Sequence, residues 1–508
     1  MGTVLISDSS LSWRTFDCLF DGTAHFRLSR EAKKSILASH QLLNDIIDTG
    51  DKIYGVNTGF GKLSNISIKT EDLKQLQLNL VKSHACGVGK PLGLGVTRIT
   101  MVLKLMTWAK GYSGISPKLS QLLLDMLNHD ILPVIPRKGS VGASGDLAPL
   151  AHMACAMIGE GDVFFQDRIT SARNALRKSG LKPIVLGPKE GLSLLNGTHV
   201  STALAIRSLS ESKKLLTLAD ISGALSTEAS LSSMMPFDPK IHKLKKHKGQ
   251  LNAATNVFRL LKSSEIVKSH QNCDRVQDPY SIRCLPHVHG SSREIFTNVE
   301  KIIDNELNSV SDNPLIFPNG KVMNSGHFHA EPVAQAIDSL SIAMAEIGAI
   351  AERRIHFLMK GVDGKVPLFG AKEPGIESGF MLAQVTAAAL ASENKTLAHP
   401  ASIDSLSTSA GQEDFVSMAP WAGISCLQIL KNVRRILAIE LLVATNINYR
   451  FHKKYSSGSG LKPVITLFKR EKLLTKNDHI LSKDLVLINK LITSGKIIQN
   501  VKKVINLV

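Results

Sequence analysis

SLSIAMAEIGAIAERRIHFLM runs from Ser339 to Met359. Alanine, isoleucine, methionine and leucine fill nearly every face of it. Only Glu346 and the group Glu352, Arg353 and Arg354 interrupt them. A helix apolar all round is buried among other helices. The same reading spreads outward from this stretch. Ser378 to Leu397 and Trp421 to Thr445 have the same character, and Arg98 to Lys110 and Pro117 to Leu127 carry Leu, Met and Ile at three- and four-residue steps. Several such helices in one chain predict a mainly α fold, a large bundle of long helices. Alternating strand patterns are scarce, with short strands expected around Val163–Phe165 and Lys182–Leu186.

The chain has 508 residues, 43% hydrophobic and 20% charged, with a formal net charge of +18. That composition suits a globular protein with a sizeable core. The positive charge is uneven. Leu461 to Val508 holds ten Lys or Arg against three Asp or Glu, and a second basic run spans Lys240 to Lys248. Neither run interleaves aromatic residues with the basic ones, and aromatics are only 5% of the chain, so solvated faces are expected and nucleic-acid binding is not. The six cysteines are spread out, none in CxxC spacing, which fits reduced thiols in the cytoplasm. The N-terminal stretch lacks the basic and apolar regions of a signal peptide, and no membrane span is expected.

Glycine and polar residues gather in three loops: Tyr54–Gly61, Ser140–Gly145 and Met323–Pro332. Loops on a rigid scaffold are where binding chemistry concentrates. Gly87–Gly93 has the flavour of a phosphate loop, but Pro91 occupies the Ser/Thr position after Lys90. His287 with His289, and His327 with His329 and Glu331, lack the spacing of a structural zinc site, so no metal is expected. Gly142-Ala-Ser144-Gly-Asp146 approaches a nucleophile elbow but misses its last glycine. His84 follows Leu73, Leu76, Leu80 and Val81 at helical steps, as a core histidine or as an imidazole aimed at a pocket. Gln277, Tyr280 and Arg283 step by three, so one helical turn would put them on a single face. There they would cap a helix or grip a carboxylate, with the guanidinium acting bidentately.

A set of motifs carries more. They are YGVNTGFGKL (Tyr54–Leu63), SHACGVG (Ser83–Gly89), GSVGASGDLAPLAH (Gly139–His152), LLNGT (Leu194–Thr198), QDPYSIR (Gln277–Arg283), SVSDNP (Ser309–Pro314) and SENKTLAHPAS (Ser392–Ser402). Through them the chain resembles the aromatic amino-acid ammonia-lyases from Tyr54 to about Thr445, most closely the branch that acts on histidine. The resemblance implies a single chain of that fold, in which helices carry the loops that bear its cofactor. Its parts would be an N-terminal part with the Ala143–Gly145 loop (about 1–200), a central helical bundle (about 201–455) and a basic C-terminal segment (about 456–508). The last part follows the Ser456–Gly460 break and carries apolar residues at helical steps, so it is expected to fold back on the body.

The resemblance also implies chemistry. Ala143, Ser144 and Gly145 would close into 4-methylidene-imidazol-5-one (MIO), an electrophile made from the chain itself, with no external cofactor. Small residues suit a backbone that must bend on itself so tightly. Asp146 would assist the proton transfers of closure. Tyr54 resembles the base that takes the β-proton, and Arg283 the carboxylate clamp. Asn196, Tyr280 and Gln277 would lie beside the MIO, and Phe328 would be the aromatic wall next to it. Ser83 and His84 match the ring-recognition pair of the histidine branch, which some tyrosine aminomutases share. Glu413 matches the acid that the histidine branch holds near the imidazole. A His and a Glu suit a ring with two nitrogens and would be poor partners for a phenyl ring. The implied reaction is L-histidine to trans-urocanate and ammonia, in a homotetramer whose active sites are shared between subunits. A related MIO enzyme acting on tyrosine or phenylalanine, as lyase or 2,3-aminomutase, and a non-catalytic member with a binding role remain the alternatives. Three positions depart from the family pattern. His327 replaces a usual Asn, Phe415 a usual His, and Gly411 a usual Asn or Ala.

Overall fold

The apolar stretch that opens the sequence reading becomes the C-terminal three quarters of a helix spanning Glu331–Met359. The computed structural model describes residues 3–20, 22, 24–50, 52–271 and 275–508, so Cys273 lies outside it. Among the described residues three other helices exceed twenty residues: His199–Ala229, Leu285–Leu307 and Ala419–Phe451. The chain folds into two units. The first comprises Met1–Ser208, Glu300–Asp338 and Pro400–Ile424, and the second Leu209–Val299, Ser339–His399 and Ser425–Val508.

In the second unit, residues 209–229, 285–299, 339–359 and 425–451 of the long helices bury Leu218, Ile221, Ile347, Ile355, Val433 and Leu437 almost completely. Gly348 lets two of them approach closely, because an added Cβ would lie 3.2 Å from Val433. Arg354 and Glu440 are both fully buried and pair through Nε–Oε1 (2.5 Å) and Nη2–Oε2 (3.0 Å). Ser222 and Ser226 donate to the same carboxylate, which satisfies the charge where water cannot reach it. The basic C-terminal segment forms the helices Lys462–Arg470, Leu481–Thr493 and Lys496–Lys502. Val464, Leu467, Phe468, Ile488, Leu491, Ile497 and Val501 turn inward, so the segment packs on its unit as expected.

Glu331–Met359 is long and apolar enough to cross a membrane, which the sequence reading did not expect of any segment; 67% of its apolar window is buried inside the protein.

The first unit holds the shorter helices Arg30–Asp48, Leu73–His84, Leu94–Ala109, Pro117–Asn128, Leu147–Met157 and Glu190–Leu195. Its helix starts are written locally. Ser29 caps one by accepting from Ala32 N–H (3.0 Å), and Ser116 caps another from Leu119 N–H (3.3 Å), with Pro117 at the first helical position. Strand structure is sparse. Asp162–Phe165 pairs antiparallel with Leu132–Pro133 and Arg168–Ser171, which places a strand over Val163–Phe165 as expected. The expected strand at Lys182–Leu186 does not form. Pro183 lacks an N–H, and Ile184 makes one isolated bond, to Met157 carbonyl (3.0 Å).

Candidate functional site

Leu73–His84 ends at the rim of a cavity of about 660 Å3 in the first unit. Tyr54, Ser83, His84, Ser144, Asn196 and Glu413 all line it, so six of the residues singled out from sequence meet there. Leu76, Leu80, Leu192 and Leu195 supply apolar wall, and Ser409 and Ala410 close one side.

The Tyr54 loop rests on the apolar cluster of Leu43, Ile53, Val56 and Ile316. Gln77, fully buried, clamps it from the helix above. Its Nε2 donates to Gly55 carbonyl (3.1 Å), and its Oε1 accepts from Leu192 N–H (3.1 Å). Gly61 N–H donates to the Tyr54 hydroxyl oxygen (3.2 Å) and fixes the direction of the phenol.

The Ala143–Gly145 bend is pressed against Asn196–Thr198. Asp146 N–H donates to Gly197 carbonyl (2.9 Å). Gly145 has φ +80°, and a Cβ there would sit 2.3 Å from Gly197 oxygen, so no other residue fits. Residues 143 and 145 therefore carry no bulk, while Ser144 alone reaches the cavity. Ser144 Oγ donates to Glu413 Oε1 (3.0 Å). This tight bend fits a ring formed from its own backbone. Asp146 is completely buried and faces elsewhere. Its Oδ2 accepts from the N–H groups of Val200 and Ser201 (2.7 and 2.8 Å) and its Oδ1 from Ser201 Oγ (2.6 Å), at the start of His199–Ala229. Burial pushes its carboxyl up to about 6, against those hydrogen bonds and the nearby Lys104.

Lys104 is the group that sequence reading missed. It is fully buried, and its Nζ donates to the carbonyls of Ser193 (2.8 Å) and Asn196 (2.6 Å), the two ends of the turn that presents Asn196. Burial pushes its ammonium down to about 7, with Asp312 opposing. The signal was present, as one of two charges, with Arg98, in the apolar run Leu94–Ala109. Gln77 and Ser409 gave none. Burial also lowers His84 from its usual value, and the charge of Glu413 opposes that shift.

Asn196 Nδ2 donates to Asn313 carbonyl (2.8 Å), and Asn313 Oδ1 accepts from Ser325 N–H (2.7 Å), which ties the cavity wall to the loop that carries Phe328. Phe328 itself is half-buried and does not line the cavity. Each of the three departures has a setting of its own. Phe415 stacks on His329 with ring centroids 6.2 Å apart, and His327 is exposed. Gly411 has φ +80° in the turn before Glu413.

Gln277, Tyr280 and Arg283 belong to the second unit, and their expected shared helical face is corrected. The helix there spans only Tyr280–Arg283, because Pro279 disfavours a helical Asp278 and leaves Gln277 outside. Arg283 lies 4.7 Å over the Tyr280 ring and its Nε donates to Asp278 carbonyl (3.1 Å). Gln277 and Arg283 line a cavity of that unit of about 1580 Å3, and Tyr280 is 70% exposed. Among the described residues no group of three His, Cys, Asp or Glu is placed to hold a metal ion. His289 instead pairs with Asp220 (2.8 Å). Cys86, Cys155 and Cys284 carry free thiols.

The model of the family described as aromatic amino acid lyase matches residues 11–470. Histidine ammonia-lyase of Burkholderia orbicola is 48% identical over 456 residues, 90% of each chain. That of Vibrio cholerae is 50% identical over 419 residues, 82% of each chain. Among solved structures, histidine ammonia-lyase from Trypanosoma cruzi superposes with a TM-score of 0.91 at 37% identity, covering 99% of this chain and 96% of the other. Tyrosine aminomutase from Streptomyces globisporus gives 0.93 at 29% identity, with both chains fully covered.

Proposed function

The chain belongs to the aromatic amino acid lyase family, and from that premise we propose that it removes ammonia from L-histidine to give trans-urocanate. It is a carbon–nitrogen ammonia-lyase. The observation that carries the histidine reading is the cavity itself, where His84 and Glu413 stand with Tyr54 and Ser144. Once Ser144 Oγ has left, Glu413 Oε1 loses its partner; an imidazole would restore a hydrogen bond there and offer one to His84, and a phenyl ring would not.

An MIO group formed from Ala143, Ser144 and Gly145 supplies the electrophile that makes an amine a leaving group. The rest falls to side chains. Tyr54 Oη, acting as the phenolate, receives the β-proton as the α-carbon–nitrogen bond breaks and the double bond forms. His84 and Glu413 hold the ring and so fix which β-proton faces Tyr54. Asn196, which also lines the cavity, orients the substrate's polar end. The leucines exclude water, which strengthens each of these contacts.

Arg283, Tyr280 and Gln277 lie outside this cavity and are open to solvent in the second unit. Their chemistry suits a carboxylate clamp. In the proposed homotetramer they serve the cavity of another copy, with Arg283 taking the substrate carboxylate bidentately and Phe328 closing the wall. Free thiols fit a reducing cytoplasm.

The test is incubation of the purified protein with L-histidine while urocanate is followed by ultraviolet absorbance, with L-tyrosine and L-phenylalanine in parallel. Urocanate from histidine alone is the expected result. Coumarate or β-tyrosine from tyrosine would move the assignment to the aminomutase side of the family, and no product from any of the three would leave a binding role.

A further inference from the structure

We propose that Glu413 is the acid–base group that dehydrates Ser144 while the cofactor forms, a role separate from holding the substrate. The proposal rests on the MIO reading above. It starts from Ser144 Oγ, the oxygen that must leave, which donates to Glu413 Oε1 at 3.0 Å. The other carboxylate oxygen is held in place. Oε2 accepts from Thr408 Oγ1 (3.0 Å) and from Ser409 Oγ. The backbone makes the same turn rigid, since Thr408 N–H donates to Glu413 carbonyl (2.9 Å) and Ser409 and Ala410 have φ of +51° and +55°. Glu413 is thus aimed at Ser144 by its own loop.

Asp146, the nearest acid in sequence, is differently employed. Both of its oxygens are taken by Val200 and Ser201 at the start of a helix. Its part is to hold the bend, while Glu413 touches the reacting atom.

The step balances on one carboxylate. Glu413 takes the Cα proton of Ser144, whose acidity the flanking carbonyl groups raise. The electron pair of that bond becomes the Cα=Cβ double bond, and the Cβ–Oγ bond breaks. Glu413 returns the proton to the departing oxygen, water leaves and the carboxylate is regenerated. Nothing is oxidised or reduced. Hydroxide is a poor leaving group, and a positioned acid–base group is worth about 10²–10⁴-fold in such a transfer.

The experiment measures the intact mass of the full-length chain, purified at intervals after a short induction, for the wild type, Glu413→Gln and Glu413→Asp, with circular dichroism on each. The wild type should be lighter than its sequence by two waters. Glu413→Gln, which keeps a hydrogen-bond partner for Ser144 but cannot carry the proton, should retain water and mature about 10²-fold more slowly or worse. Glu413→Asp, with a carboxylate of shorter reach, should fall between. Full loss of both waters in Glu413→Gln at the wild-type rate overturns the proposal, and so does equal water content in the Gln and Asp chains. A wild type that keeps both waters instead overturns the MIO reading on which this rests.

Discussion

The side chain of Gln77 joins Gly55 to Leu192, with its amide nitrogen on one carbonyl and its amide oxygen on the other residue's N–H, each at 3.1 Å. It is fully buried, and it supplies a partner to both backbone groups where water cannot replace it. Gln77→Leu keeps the volume and strands both. Each stranded buried group costs about 1–3 kcal/mol. We expect a loss of about 2 kcal/mol or more in denaturant unfolding, together with slower turnover, because the Tyr54 loop is no longer held. Unchanged stability would show that the loop is carried by its apolar cluster instead.

Lys104 sets a pH dependence. Its folded value is depressed to about 7, below the usual lysine value of 10.5. Between those values the unfolded chain binds the proton and the folded chain does not, so this group makes stability rise as pH rises from about 7 toward 10. Below about 7 both states are protonated and the slope vanishes. Lys104→Met should flatten that rise by one proton's worth, read from denaturation midpoints across the range. A slope identical to that of the wild type would mean that Lys104 stays charged in place.

Tyr54→Phe removes one oxygen from the cavity and leaves the ring that meets Phe60 edge-on. Binding should change little, while kcat should fall by about 10² or more, the usual worth of a positioned base. A rise in KM at constant kcat would make Tyr54 a binding group and put the base elsewhere.

His84→Leu trades the imidazole for an apolar side chain on the same cavity wall. Glu413 then loses its neighbouring imidazole, and the pocket should discriminate less for histidine and begin to admit phenylalanine. The loss of one polar recognition contact should lower kcat/KM for histidine at least about tenfold. An unaltered preference in competition assays would place ring recognition outside Ser83 and His84.

The helical architecture was legible because burial leaves a direct trace. A residue run that must be apolar on every face reads as such at Ser339–Met359. The cavity was legible only in part. Tyr54, Ser83, His84, Ser144, Asn196 and Glu413 were found through motifs, and the fold brings them together from positions as far apart as 54 and 413. Gln77 was not found, because a glutamine in a half-polar helix looks like any solvated residue until its neighbours are known. The Gln277–Arg283 face failed for a local reason, since Pro279 overrides helical spacing. The Lys182–Leu186 strand failed for lack of a partner, which no single segment reveals.

The unit that holds the cavity is not continuous in the chain. It needs Met1–Ser208, then Glu300–Asp338, then Pro400–Ile424. On the ribosome, the first two hundred residues emerge with Tyr54, His84 and Ser144 already made but without the carboxylate that faces Ser144. Assembly of this unit is therefore a late event, set by delivery of the segment around Glu413. If Glu413 dehydrates Ser144 as proposed, a nascent chain cut short before that segment would carry an unreacted serine, and the electrophile would be withheld from unfinished protein, where it would be free to alkylate whatever amine it met.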